Sequence, residues 1–565
     1  MTLLYTIFAR NLRTSLKHLA HTNVRSCSTT IHRSPYPDIE IPNQTTTQFI
    51  WSQSAKWDDL PAVTCGVSGR SYTYGVMKML SSRGAKALLE KVKLKPGNRV
   101  GLILPNLPEY PVVVYAAMKA GLVVTFANPL STTEEITRQF RNAEVQCIMT
   151  IPMLLEAALT VARALPNYAA TINIGGETDL EKNVLGMQTI FTEEFQVELP
   201  EVKSTDIAIL PYSSGTTGLP KGVMLSHRNL VANLIQCSYS ALTNVKHPTP
   251  CSQETVLSVL PFFHIYGFNG ILNFLMCHGV HIVTLPRFTP EDYLRCLAEY
   301  KPTTIFVVPS LLLFLATHAE VTAKDLSSIR RVICGAAPAT KNLIDKFKQK
   351  LNHADCTVEQ GYGMTETSPV VLYTPQETPV SKMGTCGRLL PSTEARLISL
   401  IDGSDITLPH NPGELLIRGP QLMQGYLNDR SSTENSIDVH GWLHTGDVTY
   451  YDEDGYFFIV DRTKELIKVK GNQVSPTELE GIILEVTGVA DVAVIGVPDT
   501  MAGELPKAFI VKHPGAIVTP EIINDYITPK VAPYKKLAGG ITFIEAIPRN
   551  PSGKVLRNQL KVFGK

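Results

Sequence analysis

The chain has 565 residues, 44% of them hydrophobic and 18% charged, which is the composition of an ordinary globular enzyme with about three to four domain-sized units. Its 52 basic and 51 acidic residues leave a net charge of +1, so no overall field attracts nucleic acid or an anionic membrane. The ten cysteines form no CxxC pair, which disfavours a zinc site or a disulfide framework and suits a reducing compartment. No apolar run reaches the roughly 18 residues of a membrane span, because Lys119 interrupts the best candidate, residues 112–127.

The first 37 residues contain basic side chains and no acidic one. On a helical wheel, Leu12, Leu16 and Leu19 share one face, and basic residues occupy the other. A basic amphipathic helix is typical of a mitochondrial import signal, and a disordered basic tail is the alternative. The final residues, 563–565, are not a peroxisomal address of the Ser-Lys-Leu type. We therefore expect a mitochondrial protein, with cytoplasmic or peroxisomal location as alternatives. The basic residues are Arg10, Arg13, Lys17, Arg25 and Arg33.

Between residues 98 and 360, short β-rich runs alternate with segments of helical periodicity. This alternation predicts parallel sheets covered by helices, in which ligands bind beyond the carboxyl ends of the strands. The predicted strands are residues 100–104, 146–150, 207–211, 255–260, 281–285, 304–308 and 331–334.

The pattern changes near Asp461. Residues 464–474 predict a hairpin, and Ser-Pro-Thr-Glu at 475–478 has the capping-box pattern that starts a helix. Short strands at 492–497, 508–511 and 541–544 complete a small α+β unit. We predict an import segment at 1–37, a large lobe at 38–460 and a small domain at 461–565.

Residues 212–222, with the sequence YSSGTTGLPKG, follow a predicted strand directly. Glycines let backbone N–H groups converge, hydroxyls add donors, and a lysine adds charge, which together make an anion cradle. A mobile surface loop is the alternative. The segment is not a Walker A loop, because GxxxxGK[ST] is absent. The candidate phosphate-binding residues are Ser213, Ser214, Gly215, Thr216, Thr217, Gly218 and Lys221.

This loop resembles the phosphate loop of the adenylate-forming superfamily, which includes acyl-CoA synthetases, 4-coumarate–CoA ligases, beetle luciferases and peptide-synthetase adenylation domains. Further segments that resemble its motifs follow in order over about 340 residues. They are GAAP at 335–338, GYGMTE at 361–366, HTGD at 444–447, DRTK at 461–464 and PRNPSGK at 548–554.

The resemblance implies a nucleotide site. Tyr362 would lie on the adenine, Thr365 would contact the α-phosphate, and Glu366 would help to hold Mg²⁺, a cation that is usually shared between a carboxylate and nucleotide phosphates. Asp447 would accept hydrogen bonds from the ribose hydroxyls, and Arg462 would be a second ribose or phosphate contact. The wall of the adenine pocket would include Gly335, Ala336, Ala337, Gly361 and Gly363.

Lys554 matches the catalytic lysine of the C-terminal motif. A positive charge between the carboxylate of the acid and the α-phosphate would reduce their repulsion. Lys464 would be the hinge about which the small domain swings, so that its opposite face serves thioester formation. That face would contain the catalytic Lys468 and the coenzyme A contacts Lys470, Gly471 and Gln473. Two departures from the ligase pattern lie nearby: Asn472, where an aromatic residue is common, and Ser475, where alanine is common.

The segment PFFHIY at 261–266 most resembles the acyl-pocket motif of 4-coumarate–CoA ligases. His264 would be catalytic as well as part of the pocket wall with Tyr266, and residues 367–371, including Pro369 and Val370, would form another wall. A histidine after an apolar run is otherwise a satisfied core residue.

The resemblance implies an acid–thiol ligase of α/β fold, with a large N-terminal lobe of helix-covered, mostly parallel sheets and a small mobile α+β C-terminal domain. With ATP and Mg²⁺ it would convert a medium-chain fatty or aromatic acid to acyl-AMP, and coenzyme A would then accept the acyl group. The alternatives are transfer to a separate carrier protein, luciferase-like oxidation, and a non-catalytic nucleotide or lipid sensor. Neither nucleic acid nor a membrane span is expected, and the oligomeric state is not predicted.

Overall fold

The computed structural model describes residues 30–213, 220–240, 242–243, 245–351, 353, 355–470, 472–550 and 553–563. Within these ranges, two nine-stranded sheets and one five-stranded antiparallel sheet form a large lobe, and a further five-stranded sheet forms a small C-terminal domain. The predicted α/β architecture with a large and a small part is therefore confirmed.

The first sheet is parallel except at one edge, where Lys221–Ser226 pairs antiparallel with three strands. Five of the six residues of Val145–Thr150 are buried, as expected for a parallel strand covered on both faces. Gly425–Tyr426 joins the edge beside Lys221–Ser226. In spatial order the other strands are Tyr212–Ser213, Lys221–Ser226, Ile207–Leu210, Val123–Ala127, Arg99–Ile103, Val145–Thr150, Ala170–Asn173 and Val184–Gly186.

The second sheet has a parallel centre and antiparallel edges. Its strands carry two of the predicted motifs at their carboxyl ends, GAAP after Arg331–Cys334 and GYGMTE at the end of Thr357–Gly363. In spatial order the strands are Arg388–Leu389, Val370–Tyr373, Thr357–Gly363, Arg331–Cys334, Thr304–Val307, Thr255–Ser258, His281–Thr284, Pro61–Cys65 and Ser71–Thr73.

The antiparallel sheet was not foreseen from the sequence. It brings the HTGD motif beside the DRTK motif, because Asp447 pairs with Arg462 in its ladder. In spatial order its strands are His32–Arg33, Glu394–Ile398, Gly413–Arg418, Leu443–Tyr451 and Phe457–Arg462.

Helices cover the large sheets, and several begin at a side-chain cap. Thr132 and Ser226 each form a capping box, which satisfies the first free N–H groups of the helices that follow. A π-helix, Tyr266–Asn273, leads into Phe274–Cys277. The other α-helices of the large lobe are Thr46–Ser54, Tyr74–Glu90, Glu109–Lys119, Thr133–Asn142, Leu155–Ala162, Met187–Thr192, His227–Cys237, Pro290–Tyr300, Pro309–Thr317, Lys341–Lys350 and Arg430–Ser436, with short 3-10 turns at Ala55–Trp57, Pro152–Leu154, Leu180–Lys182, Thr365–Thr367 and Val380–Lys382.

The small domain has its own apolar core, formed by residues such as Ile467, Leu479, Val494 and Ile523. Its helices are Pro476–Ile483, Pro520–Ile527 and Arg557–Phe563, with 3-10 turns at Thr528–Lys530 and Pro533–Lys535. Its strands are Asn472–Val474, Ile467–Val469, Gly503–Lys512, Val489–Asp499 and Ile541–Phe543. This core follows the strand Phe457–Arg462, so Asp461 and Arg462, the first two residues of the predicted small domain, pair within the large-lobe sheet; the boundary at residue 461 stays a prediction.

Two local predictions need correction. The predicted strand 255–260 ends at Ser258, because the chain turns and the Leu260 carbonyl accepts a hydrogen bond from the Asn106 amide. The predicted capping box at 475–478 is half formed: the Ser475 hydroxyl accepts from the Glu478 N–H, but the Glu478 carboxylate pairs with Lys535 at 2.7 Å.

Residues 30–37 lie against the large lobe. His32–Arg33 pairs with Glu394–Ile398, and the Ser34 hydroxyl donates to the Leu389 carbonyl. The last part of the predicted import segment thus belongs to the folded lobe, while Arg10, Arg13, Lys17 and Arg25 lie outside the described residues. Across the described ranges, no helix is long and apolar enough to cross a membrane.

Candidate active site

A cleft of about 270 Å³ separates the large lobe from the small domain. Residues of both parts line it: Ala336, Tyr362, Asp447 and Arg462 from the large lobe, and Lys554 from the small domain. The fold therefore brings together five residues that the sequence placed in one nucleotide site, although they are separated by more than 200 positions.

Asp447 is the acidic centre of this cleft, and only 3% of its surface is exposed. Its carboxylate accepts a hydrogen bond of 2.6 Å from the Tyr362 hydroxyl and pairs with the Arg462 guanidinium at 3.0 Å. Burial raises the pKa of Asp447, and the positive charge of Arg462 opposes that rise. A carboxylate can accept about four hydrogen bonds, so capacity is left for the two hydroxyls of a ribose.

Small residues form a narrow slot beside Tyr362. Ala336 and Ala337 line one side, and Ala336 adopts a left-handed conformation with φ of 69°. A side chain at Gly335 would meet the Tyr266 ring at 3.0 Å, and one at Gly363 would collide with a backbone carbonyl at 1.9 Å. Gly361 lines the same part of the cleft, so small residues leave room there for the adenine ring that the resemblance predicts.

Lys554 enters the cleft from a turn in the small domain. Its N–H donates to the Asn550 side chain at 2.8 Å, and Gly553 supplies a left-handed φ of 82°. The ammonium group lies 3.7 Å from the Glu465 carboxylate. Burial and the nearby Arg462 charge lower the pKa of Lys554. The lysine therefore faces the cleft, as expected for a residue that acts on a bound nucleotide.

Glu366 lies at the base of the predicted phosphate loop and is 5% exposed. One of its carboxylate oxygens accepts hydrogen bonds of 2.9 Å from the hydroxyls of Ser213 and Tyr426. Thr365 precedes it in a single 3-10 turn. The contact with Ser213 links the GYGMTE motif to the start of the loop, whose residues Ser214, Gly215, Thr216, Thr217 and Gly218 lie outside the described ranges.

Lys221 contacts the neighbouring helix Arg430–Ser436. Its ammonium group donates to the Ser432 hydroxyl at 2.5 Å, lies 3.9 Å from Asp429 and is 5.1 Å from the centre of the Tyr426 ring. Its backbone pairs with Ser213 across the strand, so it remains beside the loop. The sequence predicted neither Ser432 nor Tyr426, because each is about 200 residues away.

A second cavity of about 80 Å³ adjoins the cleft and shares Ala336 and Tyr362 with it. All four residues predicted for the acyl pocket line it: His264, Tyr266, Pro369 and Val370. The sequence missed the rest of the wall, which includes Cys237, Leu242, Phe274, Phe306, Ile333, Tyr373 and Leu390.

Three side chains of this wall make hydrogen bonds within the protein through a polar atom: His264, Tyr266 and Tyr373. His264 Nδ1 accepts from the Tyr266 N–H, and burial lowers the pKa of His264 to about 4, so the ring is neutral at pH 7. The Tyr266 hydroxyl donates to the Ile333 carbonyl at 3.3 Å. Behind the wall, the Tyr373 hydroxyl donates to Glu359, which also pairs with Arg331.

Comparison with known proteins identifies the family of this site. A family model described as "AMP-binding enzyme" matches residues 50–427, and a model described as "AMP-binding enzyme C-terminal domain" matches residues 478–554. The chain belongs to the family of AMP-binding enzymes. The resemblance drawn from the motifs is thus confirmed, and the predicted mitochondrial segment lies outside both matches.

The relatives of this AMP-binding enzyme include 4-coumarate–CoA ligases. The chain is 38% identical to 4-coumarate–CoA ligase 2 of Oryza sativa, over 94% of this chain and 95% of that protein. It is 37% identical to 4-coumarate–CoA ligase 1 of Petroselinum crispum, over 94% and 96%. Among solved structures, ATP-bound MatB from Rhodopseudomonas palustris is 26% identical, with a TM-score of 0.80 over 92% of this chain and 99% of that one. The predicted class, an AMP-forming acyl-CoA synthetase, is confirmed.

Lys468 and Lys470, which are predicted to serve thioester formation, are not among the residues that line the cleft of this AMP-binding enzyme. Lys468 and Lys470 are exposed on the hairpin formed by Ile467–Val469 and Asn472–Val474. Gly471 lies outside the described residues, and Gln473 is described only by its backbone. Lys464 is exposed in the turn before this hairpin. Their roles stay predictions, as do those of the nucleotide and acyl-pocket residues.

Proposed function

We propose that this AMP-binding enzyme joins coenzyme A to an acid with an uncharged, mainly apolar body, such as a medium-chain fatty acid or an aromatic acid. The observation that carries this proposal is the lining of the second cavity. Among the described residues that line it, none is Asp, Glu, Lys or Arg. A second carboxylate on the acid would therefore lose its hydration without gaining a charged partner there, which is costly.

The engaged polar groups support the same acid class. The hydroxyls of Tyr266 and Tyr373 already donate to protein acceptors, and the Thr243 hydroxyl donates to the Cys237 carbonyl at 2.5 Å. An aliphatic chain or an unsubstituted ring needs no hydrogen bond from these hydroxyls. A hydrophobic pocket rejects an added hydroxyl only weakly, by roughly 100-fold at most. We therefore expect cinnamate to be preferred over 4-coumarate, with 4-coumarate still accepted.

In the first step, an oxygen of the acid carboxylate attacks the α-phosphorus of ATP, and pyrophosphate leaves. Asp447 and Tyr362 hold the nucleoside, and the Lys554 ammonium approaches the point where the carboxylate and the α-phosphate meet. The protein contributes mainly positioning and electrostatic stabilisation. Since Lys554 is half-buried, its charge acts with less screening than in water.

We also propose that Glu366 binds Mg²⁺ together with the phosphates of ATP. Its carboxylate is buried, and both the Ser213 and the Tyr426 hydroxyls donate to Oε1, which leaves Oε2 for the ion. Mg²⁺ is usually bound through one or two protein carboxylates together with substrate phosphates and water, so a single carboxylate is sufficient here. The ion would neutralise phosphate charge.

In the second step, the thiol of coenzyme A attacks the acyl carbon, AMP leaves, and the thiol proton is released. Lys468, Lys470, Gly471 and Gln473 are proposed to meet coenzyme A. Because Lys468 and Lys470 lie outside the cleft in this arrangement, the small domain must turn about residue 464 to bring their hairpin to the site.

The test is coenzyme A-dependent release of AMP with hexanoate, octanoate, decanoate, cinnamate, 4-coumarate and the dicarboxylate suberate. We expect turnover with the monocarboxylates and at least 100-fold lower kcat/KM with suberate than with octanoate. Comparable rates for the two would contradict the proposed acid class. Adenylate formed without thioester would favour the alternatives, a separate carrier protein or an oxidation.

We propose a mitochondrial location on the basis of the basic residues in the first 29 positions. In cells, the full chain tagged at its C-terminus should enter mitochondria and lose an N-terminal segment. The variant with Arg10→Glu and Arg13→Glu should remain outside. Identical distribution of the two proteins would contradict the proposal.

A further inference from the structure

We propose that the contact between Asp461 and Ser475 is a latch that holds the small domain in the arrangement that points Lys554 into the cleft. Both are positioning residues: Asp461 lines the cleft and Ser475 does not, but neither carries the predicted chemistry. The proposal deepens the proposed function and rests on it, because the latch matters only if the small domain serves two half-reactions.

The first half of the latch is fixed to the large lobe. Asp461 lies on the strand Phe457–Arg462, and it pairs with Val448 in the ladder that also pairs Arg462 with Asp447. It is 5% exposed. Its position is therefore set by the same ladder that sets the Asp447 carboxylate.

The second half belongs to the small domain. Ser475 is the N-cap of the helix Pro476–Ile483, and this helix packs into the small-domain core through Leu479 and Ile483. The Ser475 hydroxyl lies 2.6 Å from Asp461 Oδ2, and the Thr477 N–H donates to the same oxygen at 3.2 Å.

The chemistry of the contact favours a closed latch. A carboxylate at a helix N-terminus interacts favourably with the free N–H groups and the helix dipole. Asp461, in the large lobe, supplies that negative charge to the small-domain helix. The Ser475 hydroxyl adds a charge-assisted hydrogen bond to the same carboxylate. The closed contact therefore stabilises this arrangement of the two parts.

The sequence of steps requires the latch to open. Lys554 lines the cleft, while Lys468 lies exposed on the hairpin outside it. When the small domain turns, Ser475 moves with its helix, but Asp461 stays in the ladder of the large lobe. The hydroxyl at position 475, where the resembling ligases commonly have alanine, strengthens a contact that each catalytic cycle must break.

The test compares two N-cap variants of the small domain. Thr519 caps the helix Pro520–Ile527, which also has eight residues and a proline at its start, and its hydroxyl accepts from the Ile522 N–H. Ser475→Ala and Thr519→Ala therefore remove the same kind of cap, but only Ser475 contacts the large lobe. A similar fall in melting temperature is expected for both.

Two half-reactions are measured for each variant: acid-dependent ATP–pyrophosphate exchange, and conversion of supplied acyl-AMP to thioester. The ratio of the exchange rate to the thioester rate should fall threefold or more in Ser475→Ala and stay within 1.5-fold of wild type in Thr519→Ala. Asp461→Asn, which removes the charge from the other half, should shift the ratio in the same direction as Ser475→Ala.

Equal ratios in Ser475→Ala and Thr519→Ala would overturn the latch, as would opposite shifts in Ser475→Ala and Asp461→Asn. If the wild-type enzyme performs both half-reactions but the two variants have equal ratios of exchange rate to thioester rate, the latch is wrong and the proposed function still stands. Wild-type enzyme that performs neither half-reaction would instead defeat the proposed function itself.

Discussion

The hydroxyl of Tyr362 donates a 2.6 Å hydrogen bond to the carboxylate of Asp447, and the same tyrosine forms part of the wall between the cleft and the acyl cavity. This one residue thus borders both the proposed nucleoside site and the proposed acid site, and its hydroxyl contacts Asp447. This arrangement allows the two contributions to be separated by mutation.

Tyr362→Phe should raise the KM for ATP and change the KM for the acid little. The ring stays, but Asp447 loses one of its two partners in a buried position. A loss of about 1–3 kcal/mol is expected, or roughly 5- to 150-fold in KM. Steady-state kinetics with each substrate varied measure the effect. Tyr450→Phe is the control and should behave as wild type, because Tyr450 lies on the strand Leu443–Tyr451 that carries Asp447 but stacks on Phe458 outside the cleft.

Lys554→Ala and Lys468→Ala should damage opposite half-reactions. Lys554→Ala should lower ATP–pyrophosphate exchange by about 100-fold or more, the cost of removing an electrostatic contact to the transition state, yet convert supplied acyl-AMP to thioester. Lys468→Ala should retain exchange and lose thioester formation. Equal loss of both activities in Lys554→Ala would contradict the divided roles.

The exchange rate should fall at high pH as Lys554 loses its proton. Burial and Arg462 lower the pKa of Lys554, so the charged form is lost at a lower pH than for an ordinary lysine. As pH rises, the exchange rate should therefore fall, and the midpoint of the fall should lie below pH 10.5, the ordinary lysine value. Lys554→Arg keeps its charge across this range, so any residual activity should lack that decline. The same decline in both proteins would assign it to another group.

His264 should make the fold less stable in mild acid. The pKa of His264 is about 4 in the folded chain and near 6.5 when unfolded, so between these values the unfolded chain binds more protons. Stability should therefore fall as pH decreases from 6.5 and level off near 4 for this group. Urea unfolding at pH 7.5 and 5 measures the change. His264→Gln cannot titrate, and it should lose less stability between the two pH values than wild type.

Glu359→Gln should destabilise the large lobe strongly. Glu359 and Arg331 form a bidentate pair with side-chain exposures of 2% and 9%, and the variant leaves the Arg331 charge without its counterion. Breaking a buried pair in this way costs about 3–5 kcal/mol. Glu434→Gln breaks the exposed pair with Arg430 and should cost less than about 1 kcal/mol. Chemical unfolding of both variants would show whether burial makes this difference.

The sequence was most informative where one physical signal dominates. The predicted large-lobe strands lie within two residues of the observed ones, because parallel strands buried on both faces give continuous apolar runs. The short motifs led to Asp447, Arg462 and Lys554, which do share one cleft. Their residue types alone would not have singled them out; the family resemblance of the ordered motifs did so, and their roles stay predictions.

Long-range partners could not be read in the same way. The Ser432 hydroxyl accepts a hydrogen bond from the Lys221 ammonium, 211 positions away in the sequence. The Tyr426 hydroxyl donates one to Glu366, 60 positions away. Phe306 in the acyl cavity is one apolar residue among many in a buried strand. Nothing in their local pattern distinguishes them, because only the packing of separate elements decides which side chains face a cavity.

The ladder that pairs Asp447 with Arg462 ends two residues before the proposed hinge, Lys464, and Asp461 in the strand Phe457–Arg462 contacts the small domain. We therefore expect nucleoside binding at Asp447 and rotation of the small domain to be linked energetically. Thermodynamic reciprocity makes the linkage measurable: if a bound nucleoside shifts the equilibrium toward one orientation by some factor, its affinities for the two fixed orientations must differ by the same factor. A cross-link between the two parts would thus report on domain rotation through a simple AMP titration.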